Sequence, residues 1–402
     1  GVKVLEPVLV PVKIRVRART LILTGTNTGS NTLTPILGNN TGATSLTKNG
    51  AGTWVLAGTN TYTGVTTISA GTLSVATIGD GAVASNLGQA ANTADKIVLD
   101  GGTLKYTGAT ASTNHLFTLT DNGGTIDASG SGALTFSNSG SIAFSGTTAA
   151  RTLILTGTNT GSNTLTPILG NNTGATSLTK NGAGTWVLAG TNTYTGNTTI
   201  SAGILQIGGS GSLGSGSYVG NISIALGSTF EYSSSATQSL NTGVISGAGN
   251  LTKDTSSSVL TLAGTNTYTG VTTISAGTLS VATIGDGAVA SNLGQAANTA
   301  DKIVLDGGTL KYTGATASTN HLFTLTDNGG TIDASGSGAL TFSNSGSIAF
   351  SGTTAARTLI LTGTNTGSNT LTPILGNNTG ATSLTKNGAG TWVLAGTNTY
   401  TG

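Results

Sequence analysis

Short runs in which apolar and polar residues alternate recur along the chain, and Gly or Asn residues separate one run from the next. One run has Val55 between Trp54 and Leu56, and its aligned counterpart later in the chain has Thr between Leu260 and Leu262. The middle position accepts Val or Thr, whereas both flanking positions stay apolar. Because side chains of a β-strand alternate between its two faces, we predict that the flanking residues face inward and the middle residue outward.

The same alternation nominates a set of inward-facing residues in every copy of the pattern. In a second run Leu73 and Val75 flank Ser74, and a later copy again places a polar residue between two apolar ones. Short alternating runs bounded by turn-forming residues are typical of strands with one buried face. The predicted repeat core contains Trp54, Leu56, Ile68, Leu73, Trp186, Leu188, Leu260, Leu262 and Trp392.

Long stretches of the chain are duplicated without change. Residues 56–196 recur as residues 262–402, and the segment 18–64 occurs again at two later positions. The duplicated sequence resumes unchanged after the inserted residues 197–270. The fold must therefore tolerate the addition of whole blocks. The duplications define an N-terminal segment (1–18) and a continuous repetitive region (19–402). The blocks of the repetitive region are 18–149, 150–355 and a partial block 356–402, and residues 197–270 are an inserted unit.

This tolerance of insertions indicates a solenoid. A closed globular core rarely absorbs such an insertion, whereas each coil of a solenoid contacts only its neighbours. A single repeat cannot bury its apolar face alone, so successive repeats must stack. We therefore predict an all-β fold in the form of a parallel β-helix (β-solenoid), with strands that pair along its axis.

Composition and charge narrow the classes of function. The 402 residues include 64 Gly and 80 Thr, and charged residues make up 7% of the chain. The absence of Cys excludes disulfides, thiolate metal sites and thiol nucleophiles. Residues 1–18 hold four of the 15 basic residues and one of the 13 acidic residues, so the remainder is nearly neutral. We therefore expect that the 402-residue chain neither binds nucleic acid nor inserts into a membrane.

The N-terminal segment, residues 1–18, has a pattern of its own. Its even positions are mostly apolar and basic residues occupy odd ones, which predicts a long strand with one apolar face. Pro7 and Pro11 remove donors from one backbone edge and leave the other edge free to pair. Either the strand caps the open end of the solenoid, or it pairs with a neighbouring molecule. The residues proposed for such inter-subunit pairing are Val8, Val10, Val12, Ile14 and Val16.

A longer motif carries a family resemblance. Residues 50–64 read Gly-Ala-Gly-Thr-Trp-Val-Leu-Ala-Gly-Thr-Asn-Thr-Tyr-Thr-Gly, and Thr-Thr-Ile-Ser-Ala-Gly-Thr-Leu follows at 66–73. This motif resembles the passenger-associated transport repeat, the autotransporter-associated β-strand repeat of bacterial surface proteins. The chain contains three full copies and one truncated copy. The resemblance implies export across a Gram-negative outer membrane and display as a right-handed β-helical passenger, often in adhesins.

Residues that could support catalysis or bind a metal are few. The two histidines, His115 and His321, are one residue in two copies of a block, and no Ser-Asp pair lies near them in sequence, which favours a structural role. A polysaccharide lyase or hydrolase would need paired carboxylates or a calcium-binding Asp cluster. Most acids stand in Asp-Gly or Asp-Asn-Gly turns, although two pairs could share a rim of adjacent coils: Asp95 with Asp100, and Asp121 with Asp127. We predict no catalytic residue, metal ligand or cofactor.

Three residue types of the repeat leave alternatives open. Turn stacking is favoured over ligand contact for Asn60, Asn192, Asn266 and Asn398. Inward packing is favoured over glycan stacking for Tyr62, Tyr194, Tyr268 and Tyr400. Alternating threonines fit an ice-binding array, but they are spread over several arms of the repeat, as any Thr-rich strand would place them.

Together these features predict a structural, non-enzymatic repeat protein at the surface of a Gram-negative bacterium. It would form a stalk or fibre for attachment or cell-cell cohesion, with end-to-end or lateral self-association. A glycan-binding autotransporter adhesin passenger is the main alternative, with surface glycans as partners. A β-helical polysaccharide lyase and an ice-binding protein fit the residues less well.

Overall fold

The computed structural model describes residues 19–146, 150–255, 257–352 and 356–402. The N-terminal segment, with the pairing strand predicted there, lies outside the described residues. Within the described ranges the chain forms 39 short β-strands and three single-turn 3₁₀ helices, at Ala94–Lys96, Gly214–Gly216 and Ala300–Lys302. The chain divides into two compact units, Gly1–Leu205 and Gln206–Gly402.

The first unit contains three parallel sheets. Its strands are β1 (Thr20–Leu23), β2 (Ser30–Leu33), β3 (Ser45–Lys48), β4 (Thr53–Leu56), β5 (Thr66–Ile68), β6 (Thr72–Val75), β7 (Ile97–Leu99), β8 (Thr103–Tyr106), β9 (Ala111–Thr113), β10 (Thr118–Leu119), β11 (Gly124–Ala128), β12 (Leu134–Phe136), β13 (Ala143–Phe144), β14 (Arg151–Thr156), β15 (Ser162–Leu165), β16 (Thr176–Lys180), β17 (Thr185–Leu188) and β18 (Thr198–Ile200). In spatial order, sheet 1a is β1-β3-β5-β7-β10-β13, sheet 1b is β2-β4-β6-β8-β11-β14-β16-β18, and sheet 1c is β9-β12-β15-β17.

The division between the units falls within β19 (Ile204–Gly209). The strands that follow are β20 (Ser217–Tyr218), β21 (Ile222–Ile224), β22 (Thr229–Ser234), β23 (Gln238–Leu240), β24 (Ile245–Ser246), β25 (Asn250–Lys253), β26 (Val259–Leu262), β27 (Thr272–Ile274), β28 (Thr278–Val281), β29 (Ile303–Leu305), β30 (Thr309–Tyr312), β31 (Ala317–Thr319), β32 (Thr324–Leu325), β33 (Gly330–Ala334), β34 (Leu340–Phe342), β35 (Ala349–Phe350), β36 (Arg357–Thr362), β37 (Ser368–Leu371), β38 (Thr382–Lys386) and β39 (Thr391–Leu394). In this second unit sheet 2a is β22-β25-β27-β29-β32-β35, sheet 2b is β20-β23-β26-β28-β30-β33-β36-β38, sheet 2c is β31-β34-β37-β39, and β21 pairs with β24.

Strand pairing shows how the coils stack within each unit. In sheet 1a, Leu46 lies opposite Leu21 on one side and Thr66 on the other, so each neighbour comes from the coil before or after. In sheet 2b, Leu279 stands in the same way between Leu260 and Leu310. The fold is all-β and a parallel β-solenoid, which confirms the predicted fold class.

Successive copies of the repeat do not occupy the same sheets. In the first unit the copy at 46–75 starts in sheet 1a and continues in 1b, whereas the identical start of the copy at 178–207 lies in sheet 1b and continues in 1c. The second unit shows the same step, because β25 and β26 lie in sheets 2a and 2b but β38 and β39 lie in 2b and 2c. The spacing between copies is therefore not a whole number of coils. One repeat sequence folds equally well on different faces.

The core is a set of inward columns along each sheet. In sheet 1b, Trp54, Leu73, Leu104 and Ile126 follow one another in register, and all four side chains are buried. Adjacent strands lie about 4.8 Å apart, so each apolar side chain packs on the one above it. Of the predicted core residues, those buried in the structure are Trp54, Leu56, Ile68, Leu73, Trp186, Leu188, Leu260 and Leu262.

Trp392 differs from the predicted core. Its strand, β39, is the last in sheet 2c and pairs on one side only, with β37. Without a strand on the other side, Trp392 is half-buried, and Val393 and Leu394 are exposed. Strand alternation alone therefore does not bury Trp392, because full burial also requires a strand on the other side of β39, and its assignment to the core stays a prediction.

Candidate functional site: the lysine clamp of the repeat

The repeat buries a lysine in its first strand. Strand alternation in β3 points Leu46 and Lys48 inward, and Lys48 is fully buried, in register with Leu23 and Ile68 of the adjacent coils. A buried ammonium group is costly unless its three donors are satisfied. The environment of Lys48 supplies these partners.

The partners are backbone carbonyls of two successive coils. Nζ of Lys48 donates to the carbonyls of Asn49 (3.3 Å) and Gly50 (2.6 Å) in its own turn and to that of Ala70 (2.9 Å) in the next coil. We call this arrangement the lysine clamp. Two further clamps have the same geometry: Lys180 with the carbonyls of Asn181, Gly182 and Ala202, and Lys253 with those of Asp254, Thr255 and Ala276. Each clamp ties a turn to the coil that follows.

The clamps change the proton affinity of their lysines. Burial lowers the pKa of Lys48, and it lowers the pKa of Lys180 and of Lys253 to about 8. At the third clamp the neighbouring Asp254 carboxylate opposes the effect of burial. The first and second clamps have an uncharged Asn at that position, so carbonyl dipoles surround their ammonium groups.

The fourth copy shows what the next coil contributes. Lys386 donates to the carbonyls of Asn387 (2.6 Å) and Gly388 (2.9 Å), and its side chain is exposed. Its local sequence is the same as that of Lys48. Sequence reasoning missed the clamp because only apolar residues were assigned inward. The sequence did contain a signal: in all four copies this lysine stands two residues after a Leu that faces inward, and so on the same face of the strand.

The repeat tyrosines pack inward. Tyr62, Tyr194 and Tyr268 have no exposed surface. Their hydroxyl groups form hydrogen bonds of 2.7 to 2.8 Å with the hydroxyls of Thr66, Thr198 and Thr272. Burial raises the pKa of Tyr62 and Tyr268. The alternative of glycan stacking is therefore wrong for these three rings, and Tyr400 in the last coil is half-buried.

The repeat asparagines bond to backbone groups of neighbouring segments. Oδ1 of Asn60 accepts from the amide of Leu37 (2.7 Å), and its Nδ2 donates to the carbonyl of Asn86 (2.7 Å). Asn266 repeats this arrangement, and the Oδ1 of Asn192 accepts from the amide of Leu169. Because these three amides are buried, they hold the chain together and do not contact ligands.

Both histidines are buried. His115 is 4% exposed, and its Nδ1 has no hydrogen-bond partner in the structure. Burial lowers its pKa, against the opposing effects of the Ala91 carbonyl and the Asp80 carboxylate. Asp80 itself accepts from the amide of Asn114 (2.7 Å), which joins two segments 34 residues apart next to the histidine. His321 stands in the same setting, so both histidines have the predicted structural position.

The acids considered as metal ligands are engaged in other bonds. Asp121 pairs with the buried Arg151 at 2.6 Å, and Asp127 pairs with Lys105 at 3.5 Å. Two further acids form hydrogen bonds in turns: Asp95 with Thr93, and Asp100 with Thr120 and Asn122. Across the described ranges no three His, Cys, Asp or Glu residues cluster as a metal site would require.

The outward faces carry hydroxyl groups without a uniform array. In sheet 1b the residues Thr53, Thr72, Thr103 and Thr125 stack in register, and Ile154 interrupts the column before Thr179 and Thr199. The neighbouring outward column contains the Lys105–Asp127 ion pair. An ice-binding surface would need a regular hydroxyl lattice, and the apolar and charged residues interrupt one.

In the described part of the chain no helix is long and apolar enough to cross a bilayer.

Comparisons with known proteins agree with this structure. The Passenger-associated-transport-repeat family matches residues 46–75, 178–207, 255–281 and 384–402. The chain carries passenger-associated transport repeats. Three of the four lysines of the clamp position lie within these passenger-associated transport repeats, and Lys253 lies two residues before the third match. The clamp is therefore a structural feature of the repeat in this chain.

A curated relative extends the likeness beyond the repeats. The chain is 36% identical over 370 residues to the protein named "Adhesin BmaC autotransporter" of Brucella suis biovar 1 (strain 1330). The match covers 84% of this chain and 10% of the relative, so the chain spans about a tenth of that protein's length. Both findings confirm the predicted resemblance to autotransporter passengers. No solved structure matches the chain.

Proposed function

We propose that this chain is a structural stalk segment of an autotransporter adhesin passenger, displayed at the surface of a Gram-negative bacterium. The observation that carries the proposal is where the repeat places its polar side chains. Its lysine and asparagine residues are buried in the first three copies and bond one turn of the chain to another, and its buried tyrosine bonds to a threonine four residues later. These groups therefore stabilise the stack and are not available to a ligand.

The position of the repeats supports the same role. One repeat sequence occupies different sheets in successive copies, so a given outward residue does not face one constant direction. A binding site built on the repeat would be presented on several faces, whereas coil stacking needs no constant face. Duplication therefore adds coils without changing a unique site.

The name of the Brucella relative, an adhesin, supports an adhesive role for the protein to which such a segment belongs. In this proposal adhesion is a property of the whole passenger, and the segment holds the adhesive part away from the cell. We propose no enzymatic activity. Self-association, through the N-terminal segment or laterally, belongs to the same proposal, and deletion of residues 1–18 should abolish any end-to-end assembly seen by electron microscopy.

A block deletion tests the stalk role. Removing residues 56–261 from the full-length protein joins Val55 to Leu262 and restores the unbroken sequence of residues 1–196, because the flanks are identical. We expect the shortened protein to reach the cell surface and to mediate adhesion with unchanged binding per displayed molecule. The matched control deletes only part of a coil, residues 57–64, and should impair display.

The alternative of glycan binding by the repeats gives a different result. If outward residues of each coil bind surface glycans, adhesion per displayed molecule should fall with the number of coils. A loss of binding in proportion to the deleted coils, at equal surface display, would contradict the stalk role and support the glycan-binding passenger.

A further inference from the structure

We propose that Asn49 and Asn181, in the turns of the first two clamps, deamidate spontaneously in the folded protein. Each is followed by a glycine, and each side chain is exposed to water. The amide nitrogen of Gly50 donates to Oδ1 of Asn49 at 2.8 Å, and Gly182 makes the same bond to Asn181. The nucleophilic nitrogen and the carboxamide that it attacks are therefore already adjacent, which is the arrangement that speeds an intramolecular reaction.

The reaction needs only water. The backbone nitrogen of Gly50 bonds to Cγ of Asn49, the Cγ–Nδ2 bond breaks, and Nδ2 leaves as ammonia with the proton from the glycine amide. The resulting succinimide takes up one water molecule. Opening at Cγ gives Asp at position 49, and opening at the main-chain carbonyl gives the isoaspartyl linkage. Neither step changes an oxidation state.

The third clamp shows that the fold accommodates the aspartate product. At the aligned position this copy has Asp254, whose Oδ1 accepts from the amide of Thr255 at 2.7 Å, as Asn49 accepts from Gly50. Lys253 still donates to its three carbonyls. Deamidation of Asn49 would place a carboxylate beside the buried ammonium group of Lys48, where the third copy already has one. Each event also adds one negative charge to a nearly neutral surface.

Two other Asn-Gly pairs provide an internal control. The amide of Gly123 donates to the carbonyl of Thr120 (3.0 Å), and Nδ2 of Asn122 donates to Asp100 (2.8 Å). Both reacting groups are held in other hydrogen bonds. Asn328 and Gly329 repeat these bonds in the second unit. We therefore expect Asn122 and Asn328 to resist deamidation in the folded protein despite the same dipeptide.

The test is a time course at neutral pH and 37 °C, read by mass spectrometry after tryptic digestion. Residues 49–96 and 181–253 form separate tryptic peptides, and the control asparagines lie in residues 106–151 and in the identical peptide 312–357. Fragmentation assigns the mass gain of amide-to-acid conversion to one asparagine. We expect conversion at Asn49 and Asn181 to be at least several-fold faster than at the control positions.

A second sample and a variant keep the outcome interpretable. In protein unfolded in urea, all five Asn-Gly pairs of the chain, including Asn387-Gly388, should react at similar rates, because the hydrogen bonds that distinguish them are gone. The Asn49→Asp variant should fold and retain the clamp, as the third copy does. Equal rates for Asn49 and Asn122 in folded protein, or failure of Asn49→Asp to fold while Asn122→Asp folds, would overturn the proposal.

Discussion

Two copies of one segment, residues 150–196 and 356–402, have the same sequence but different environments. In the first, Lys180 and Trp186 are buried, and the ammonium group of Lys180 reaches the Ala202 carbonyl of the following coil. In the second, Lys386 is exposed and Trp392 is half-buried. Since local sequence is constant, the difference comes from the adjacent coil. Within these 402 residues, the lysine makes its third bond and the tryptophan is fully buried where a further coil follows, whereas Asn398 keeps its bond to the Leu375 amide without one.

Truncation of the repeat tryptophan should give the largest difference in stability between the two copies. Trp186→Ala removes a fully packed ring and leaves a cavity, which typically costs about 3–5 kcal/mol of unfolding free energy. Trp392→Ala should cost about 1 kcal/mol or less, because this ring packs on one side. Urea-induced unfolding of both variants, made in the chain of residues 1–402, measures the two costs. Equal losses would show that the two coils are equivalent.

Removal of the clamp should have the next largest effect. Lys180→Met leaves three carbonyls without their donor but also removes a buried charge, so we expect a net loss of about 1–2 kcal/mol. Lys386→Met should stay within about 0.5 kcal/mol of the parent protein. Hydrogen exchange of the amides of β16 and β18 measures the loss of protection in the strands next to the clamp. Unchanged protection of these strands in Lys180→Met would rule out a clamping role.

The tyrosine hydrogen bond should contribute less. Tyr194→Phe removes the hydroxyl that bonds to Thr198 and keeps the ring, so the expected loss is about 1 kcal/mol. Tyr400→Phe is the matched control and should have almost no effect, because its ring lies half-buried in the last coil. Thermal unfolding compares the two. A larger loss in the control would contradict the assignment of the buried ring to coil stacking.

The histidines should give the smallest effect, seen only at acidic pH. The ordinary pKa of His is 6.5, and burial lowers the folded-state pKa of His115 and His321. The unfolded chain therefore binds protons more tightly, so stability falls as pH decreases below about 6.5 and levels off below the folded-state pKa. The double variant His115→Gln/His321→Gln should lose part of this decline in melting temperature. An identical pH profile would exclude the histidines as its source.

Sequence periodicity was sufficient to predict the fold class because two-residue alternation and long duplications constrain a solenoid strongly. Trp54, Leu56 and Leu73 could be placed in the core from parity alone. Parity also places Lys48 on the inward face, but the Ala70 carbonyl of the next coil, which completes the environment of its ammonium group, could not be predicted because sequence does not position it. For the same reason the ion pair between Arg151 and Asp121 was not predicted, since it joins residues thirty positions apart across coils.

Amine labelling of the 402-residue chain itself tests most directly whether the polar side chains of the repeat are enclosed between coils. A small acylating reagent is applied at low dose, and a protease that does not cut at lysine separates the sites for mass spectrometry. We expect Lys48, Lys180 and Lys253 to stay protected, whereas Lys386, with the same flanking residues as Lys180, reacts readily. Equal labelling of Lys180 and Lys386 would contradict this expectation.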